Sequence, residues 1–455
     1  ELWAYNTSNG TTWQVANIRS GSSHSNPGSN MMHVVNGVLY FNAHDGSKGM
    51  ELWKHDPSTG ATSRVYDINA GSTGSSVGKW ISMVVGDVLY FSATDGSTGQ
   101  ELWAYNTSNS SDPWRVMDIN SGSTGSEPGK HMSVLVGDTI YFDAGATGGR
   151  ELWAHNISNH STWRVVDIYS GSIGSNPGDW MALLVGDTIY FDADDGSTGA
   201  ELWAHDTSNH STWRVTDINS GSSSSGPGNY MSILVGDTVY FSAFTGSSGH
   251  ELWAHDTSNH STWQVAEING WITMGGGLGS NPGQYMAVSV GDTIYLSAAV
   301  EQQGTELWAH DTSNSSTWRV ADIYSGVNSG APGYWMEILV GDTLYFSAND
   351  GSTGHELWAH RPSLIDYNTN TGGAVASWAI NNTNLPTGLT FSTSNGTIYG
   401  TPTQLWTQTS YMVWANNSGG STVAYLNITV VDEVPTLSYS PSTLVLTKGN
   451  QSSDL

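Results

Sequence analysis

Apolar and polar positions along most of the chain follow one short-period scheme, repeated with almost no change. In the stretch from Met231 to Ala266, an apolar run Met231–Val235 meets the pair Gly236-Asp237 and is followed by Thr238-Val-Tyr-Phe-Ser-Ala243. A two-residue Gly-Asp link between β-branched and aromatic runs predicts a tight hairpin. The polar turn at 245–249 leads to a third strand, Glu251-Leu-Trp-Ala-His255, and a second turn leads to an outer strand, Thr262–Ala266. Four short strands in a meander predict a propeller blade, and the Gly/Ser/Pro segment at 219–229 is long enough to return from the outer edge to the axis. Both faces of a blade pack on neighbours, so its strands need not alternate cleanly between apolar and polar.

The period is marked by Glu-Leu-Trp, which begins at Glu1, Glu51, Glu101, Glu151, Glu201, Glu251, Glu306 and Glu356. A spacing of about 50 residues suits propeller blades and is too long for leucine-rich or hexapeptide solenoids. One interval is longer because the segment 269–283, which contains Trp271, carries an insertion. The tryptophans Trp3, Trp53, Trp103, Trp153, Trp203, Trp253, Trp308 and Trp358 are expected to form concentric packing between blades. Seven inner hairpins are marked by Tyr40, Tyr90, Tyr141, Tyr190, Tyr240, Tyr295 and Tyr345. Seven outer strands follow, six with Trp13, Trp114, Trp163, Trp213, Trp263 or Trp318 and one with Ser63 in that place. The last hairpin has no outer strand after it, and the first outer strand, 12–18, has no hairpin before it. The expectation is therefore a seven-bladed ring over 1–361 in which the N-terminal strand closes the last blade. Leu2-Trp3 and Leu357-Trp358 then compete for one place, and the surplus copy is free to act as a linker or to pair with a neighbouring molecule.

The combination Asp217-Ile218-Asn219, Val185-Gly186-Asp187 and Asp195-Gly196 with Glu-Leu-Trp resembles the ELWxxDGT repeat family of microbial surface proteins. The resemblance covers roughly residues 1–360 and implies a cell-surface propeller without implying an activity. The chain departs from that family after the Trp, where it has Asp206-Thr-Ser or Asn156-Ile-Ser in place of Asp-Gly-Thr.

Beyond Arg361 the period ends. The run Leu385-Pro-Thr-Gly-Leu-Thr-Phe391 with Asn395-Gly-Thr-Ile-Tyr-Gly-Thr-Pro402 resembles the Ig-like modules found in tandem on microbial surface proteins, which implies a β-sandwich over 362–432. Residues 433–455 read as opening strands of a further module, whereas the module at 362–432 lacks such strands of its own. Two readings stay open: the tail is donated to complete a neighbouring subunit's module, or it begins a module that continues elsewhere. The chain opens inside a repeat, so it reads as processed or as part of something longer.

Composition narrows the function. The chain has 455 residues, with 40 acidic against 13 Lys and Arg, and its net charge of −27 argues against nucleic acid or an anionic membrane as partner. It has no cysteine, and it has no apolar run of the roughly 18 residues a membrane span needs. Its 21 tryptophans among Gly, Ser, Thr and Asn fit an all-β chain, and the resemblance to surface proteins implies an extracellular or cell-surface location.

Asn-x-Ser/Thr sequons are the clearest chemical signal, at Asn6, Asn9, Asn106, Asn109, Asn156, Asn159, Asn209, Asn259, Asn314, Asn381, Asn395, Asn416, Asn427 and Asn450. Those in the propeller share one turn, between third and outer strands, and so decorate one rim with N-linked glycans. Chance in an Asn- and Ser-rich repeat is the bland explanation. Asp45, Asp95, Asp195 and Asp350 are weak Ca²⁺ candidates in Asp-Gly-Ser turns, although Asp-Gly is also an ordinary turn pair. Asp67, Asp118, Asp167, Asp217 and Asp322 recur after the outer strand. One histidine per blade (His55, His155, His205, His255, His310, His360), with Tyr5 and Tyr105 at matching places, fits packing and hydrogen bonding better than a metal ring. No nucleophile elbow, phosphate loop or His-Glu-x-x-His is present, so no catalytic residue is expected. Only the Trp271 insertion and Glu301-Gln-Gln-Gly distinguish one blade from another. The sequence thus points to a glycosylated structural subunit that assembles with identical copies, with an adhesin or glycan-binding propeller as the alternative and a polysaccharide hydrolase as the weakest reading.

Overall fold

The computed structural model describes residues 1–109, 111–246, 248–269, 279–341, 343–361, 375–381, 384–393, 398–400, 403–417 and 420–430. Every regular element in them is a β-strand. The chain divides into two compact units, 1–361 and 362–455.

The first unit is a β-propeller of seven blades preceded by a hairpin. Blade 1 shows the plan: Met32–Val35, Val38–His44, Met50–Asp56 and Ala61–Arg64 pair in sequence order, all antiparallel. Blades 2 to 6 (82–117, 133–164, 182–214, 232–266 and 287–321) repeat it with four strands each, and blade 7 (337–360) has three. The tight inner turn is built as expected, with Asn36 at φ 51° and Gly37 at φ 79° in blade 1. In blades 2 to 6 the second and third strands are buried almost continuously because a blade covers each face. Each of six core clusters joins one blade to the next. In the first, Met31, Val35, Tyr40 and Leu52 of blade 1 meet Leu89, Phe91, Trp103 and Tyr105 of blade 2. The third-strand tryptophans from Trp103 to Trp358 take part in these clusters.

Glycines let the connecting segment approach the third strand closely. Gly149 and Gly174 lie at φ 94° and 79°, and a Cβ on Gly174 would stand 2.0 Å from the Arg150 backbone nitrogen. That contact carries an isolated parallel bridge, Arg150↔Gly174.

The expected closing strand is not formed as the sequence suggested. Thr12–Ala16 pairs with Leu2–Tyr5, Ala4 facing Trp13 and Tyr5 facing Thr12, as a separate two-stranded sheet. A hairpin closed by a short turn orders few residues, whereas pairing with blade 7 would close a loop of hundreds. Both competing Glu-Leu-Trp copies are therefore strands, one in the hairpin and one, His355–His360, in blade 7.

In the second unit, Ser377–Ile380, Trp406–Asn417 and Gly420–Val430 form one antiparallel sheet, and Leu389–Phe391 pairs with Ile398–Gly400. Trp378, Leu385, Tyr411 and Val413 are buried, and the Tyr411 hydroxyl donates to the Asn384 carbonyl at 2.9 Å. The proposed donor tail at 433–455 lies outside the described residues.

Candidate functional site

Four sets of polar or aromatic side chains recur around the propeller. The first is a latch at the glutamate of Glu-Leu-Trp. Glu151 is fully buried on the third strand, and its carboxylate accepts from Ser175 Oγ at 2.6 Å and from the backbone N–H of Ile168 at 3.0 Å and Ser175 at 3.0 Å. The same Glu–Ser contact joins Glu51 to Ser75, Glu101 to Ser126, Glu201 to Ser225 and Glu251 to Ser280. Glu306 instead accepts from the Gly330 N–H at 2.8 Å. The latch ties the third strand to the segment that leads into the next blade. Burial raises the pKa of all six, Glu51 to about 7, and the hydrogen bonds oppose that rise. In the hairpin, Glu1 accepts from Ile18 N–H at 2.6 Å, but the matching Ser25 Oγ is buried without a partner.

The second set is the histidine of the third strand. Nδ1 of His55, His155, His205, His255 and His310 lies within 2.9 Å of Oγ1 of Thr62, Thr162, Thr212, Thr262 and Thr317. The rings of His155, His205, His255, His310 and His360 pack on Tyr90, Tyr141, Tyr190, Tyr240 and Tyr295 of the preceding blade. Tyr105 packs on Tyr40 in the same way, centroids 5.9 Å apart. Burial first, then a neighbouring histidine, lowers His155, His205 and His255 to about 4, so they are neutral at pH 7. A cleft of about 170 Å³ lined by Tyr141, Trp163, Val165, His205 and His210 opens beside one of these contacts. No group of three His, Cys, Asp or Glu among the described residues could hold a metal ion.

The Asp-Gly-Ser turns form the third set. Asp195 Oδ1 accepts from the N–H groups of Ser197 and Thr198, each at 2.8 Å, and from both their hydroxyls, while Oδ2 meets Arg214 at 3.2 Å. Asp95 repeats this with Ser97, Thr98 and Arg115, and Asp45 with Ser47, Lys48 and Arg64. Burial pushes Asp95 and Asp195 up, but these hydrogen bonds outweigh it and bring both to about 2. Asp350 caps Ser352 and Thr353 likewise, and among the described residues blade 7 has no outer strand to supply an arginine. Oδ1 of Asp67, Asp118 and Asp217 is buried without a partner, and Asp167 and Asp322 pair with Arg164 and Arg319.

The fourth set was not singled out from the sequence. In blades 2 to 7 one aromatic ring or histidine precedes the first strand (Trp80, His131, Trp180, Tyr230, Tyr285 and Trp335), whereas blade 1 has Asn30 there. Lys79 and Lys130 lie over Trp80 at 4.6 and 5.4 Å, Tyr285 packs on Tyr334 at 5.1 Å, and Trp335 is 72% exposed. The signal available in sequence was an aromatic residue ahead of a recurring Met or Ile; its variable identity hid it.

The sequon asparagines fall in two places of one turn. Asn6, Asn106 and Asn156 cap it, each accepting from the N–H two residues on. Asn9, Asn109, Asn159, Asn209, Asn259 and Asn314 lie further along it and are all exposed. Nδ2 of Asn209 donates to Asp206 at 2.7 Å, and Asn259 and Asn314 do the same to Asp256 and Asp311. A glycosylated amide keeps one N–H, so this contact is compatible with a glycan. Asn381 is exposed, and Asn416 Oδ1 accepts from Ser421 at 2.5 Å. Asn395, Asn450, the Asn427 side chain and the Trp271 insertion lie outside the described residues. In blade 6, Glu301 N–H donates to Asn269 at 3.2 Å, and Arg319 reaches Gln303 at 2.8 Å.

The first unit is thus a β-propeller and the second an Ig-like module. Residues 356–431 match the family described as "Putative Ig domain". No curated protein matches the chain. Similar solved structures include a puromycin hydrolase, at 13% identity over 77% of this chain and 54% of that one, with a TM-score of 0.37. They also include prolyl endopeptidases, at 12% identity over 85% and 54%, with a TM-score of 0.40. A third is the extracellular domain of a one-component system from B. thetaiotaomicron, at 13% identity over 75% and 39%, with a TM-score of 0.35. The chain spans about half the length of the two peptidases. No helix in the described residues is long and apolar enough to cross a membrane.

Proposed function

We propose that this chain is a structural, N-glycosylated extracellular protein, a subunit of a cell-surface or filament assembly made of identical copies. The observation that carries this reading is the fate of the recurring polar groups. Glutamates latch in all six full blades, histidines pack on tyrosines in blades 3 to 7 and aspartates cap turns in blades 1, 2, 4 and 7. The recurring groups are thus committed to structural contacts, and among the described residues none gathers into a reactive set peculiar to one blade. An active centre needs such asymmetry, and we therefore infer a non-enzymatic role. The resemblance of the repeats to ELWxxDGT surface proteins supports the same location. Donation of 433–455 to a neighbour's Ig-like module is one route to assembly, and deleting Pro435–Leu455 tests it: unchanged assembly rules donation out. Electron microscopy of native material tests the function itself. Regular polymers are expected, and uniformly isolated particles would overturn it. Intact-mass analysis is expected to show glycans on several of Asn9, Asn109, Asn159, Asn209, Asn259 and Asn314; an unmodified mass removes the glycoprotein part.

A second reading, a glycan-binding propeller, is favoured by the exposed rings of Trp180 and Trp335, with the half-buried Trp80 and Tyr285 at matching places, since flat rings suit sugar faces. Binding on a glycan array that is lost in Trp80→Ala and Trp335→Ala would establish it.

A further inference from the structure

Blade 7 exposes a face that the other six blades bury. Leu357 is 65% exposed, whereas Leu52, Leu102, Leu152, Leu202 and Leu252 are at 0% and Leu307 at 1%. Met336 is 41% exposed, while Met31, Met132, Met181, Met231 and Met286 lie between 2% and 5%. Ile338 and Val340, on the same strand face, are 51% and 57% exposed. At the other end of the propeller the hairpin exposes Trp3 by 59% and Tyr5 by 62%.

The chain contains its own precedent for how these two surfaces fit. Residues 1–9 read ELWAYNTSN, and residues 101–109 read ELWAYNTSN as well. In the second copy Trp103 and Tyr105 are 8% and 2% exposed, because they pack on Met31, Val35, Tyr40 and Leu52 of blade 1. Blade 7 presents the equivalents of those four as Met336, Val340, Tyr345 and Leu357. Resting on the assembly reading above, we propose that the exposed face of blade 7 receives the N-terminal hairpin of a second copy, with Tyr5 against Tyr345 and Trp3 over Leu357. The contact repeats the one between blades 1 and 2, and it joins unlike surfaces. A heterologous contact of this kind adds copies head to tail and yields a fibre unless rotation closes it. The occupant is a second copy because both surfaces remain uncovered among the described residues of the first unit.

The full chain has no cysteine, so single cysteines report cleanly. Facing sheets stand about 10 Å apart, beyond the reach of a direct disulfide. Tyr5→Cys and Tyr345→Cys chains are therefore mixed with a short bismaleimide, and the cross-link is mapped by peptide mass. A mixed dimer linked through positions 5 and 345 is expected, with the yield falling at least tenfold when Leu357→Asp is added to the Tyr345→Cys chain. Leu357 is exposed in the single chain, so this variant folds, and a thermal melt verifies that. Absence of the mixed dimer, an undiminished yield with Leu357→Asp, or a cross-link confined within a doubly substituted single chain each overturn the proposal, the last by showing that the chain closes on itself. Negative-stain imaging of Leu357→Asp separates the two levels. Polymers that persist in it sink this interface and leave the assembly reading standing, whereas wild-type chains that never associate sink both.

Discussion

Two aspartates at equivalent places show how one neighbour decides a residue's chemistry. Asp143 and Asp192 are both buried on second strands, and each Oδ1 accepts two backbone N–H groups at 2.9 Å. Asp143 also holds Arg150 at 2.6 Å, but blade 4 has Ala200 where blade 3 has that arginine. Burial therefore raises Asp192 to about 7. The folded state holds this proton more tightly than the unfolded chain, whose aspartate titrates near 3.9. Its contribution is full below about 4 and is lost as pH rises toward 7. Blade 1 has Asn42 at the same place, accepting from the N–H groups of Asn30 and Met31. Asp192→Asn should then keep both hydrogen bonds and remove the loss, so its urea midpoint should match the wild type near pH 4 and exceed it at pH 7.5. The buried neutral histidines act in the opposite sense over a similar window and are common to both proteins, so the difference isolates Asp192. Equal midpoints at pH 7.5 would contradict this account.

At the scale of the element, the third strand of each of the six four-stranded blades is held by hydrogen bonds across both edges and by the latch at its start. Ser175→Ala leaves Glu151 short of a donor in a buried site and should cost about 1–3 kcal/mol in urea unfolding. The same change at Ser25, whose Oγ has no partner, should stay within about 0.5 kcal/mol. Similar losses at the two sites would mean that the latch adds nothing beyond packing. Strand order was legible in sequence because turn residues and β-branched runs are local signals, and the pairing of Ser232–Val235 with Thr238–Phe244 follows from the Gly236-Asp237 turn. The latch was not legible in the same way. Its glutamate was visible as a motif letter, but its serine lies 24 residues on for Glu151 and 29 on for Glu251. Only the fold converts that variable offset into one contact. The partner of Thr12–Ala16 is hard to read for a related reason: the strand count leaves it open between Leu2-Trp3 and Leu357-Trp358, and the nearby Leu2–Tyr5 takes the place.

For the whole molecule, charge and shape act against each other. A net charge of −27 makes every copy repel the next, while the exposed faces of blade 7 and the hairpin are apolar. Screening shortens the reach of that repulsion from ~30 Å at 0.01 M salt to ~8 Å at 0.15 M, and it leaves apolar burial intact. Association through these faces should therefore strengthen as salt rises, the reverse of a contact held by ion pairs. Sedimentation velocity across that range is expected to show larger species at higher salt for the wild type and little change for Leu357→Asp. Dissociation on adding salt would instead assign the contact to the few arginine and lysine side chains and remove the apolar face from the argument. The net charge, which in sequence argued only against polyanionic partners, thereby becomes a control on how copies of the chain meet.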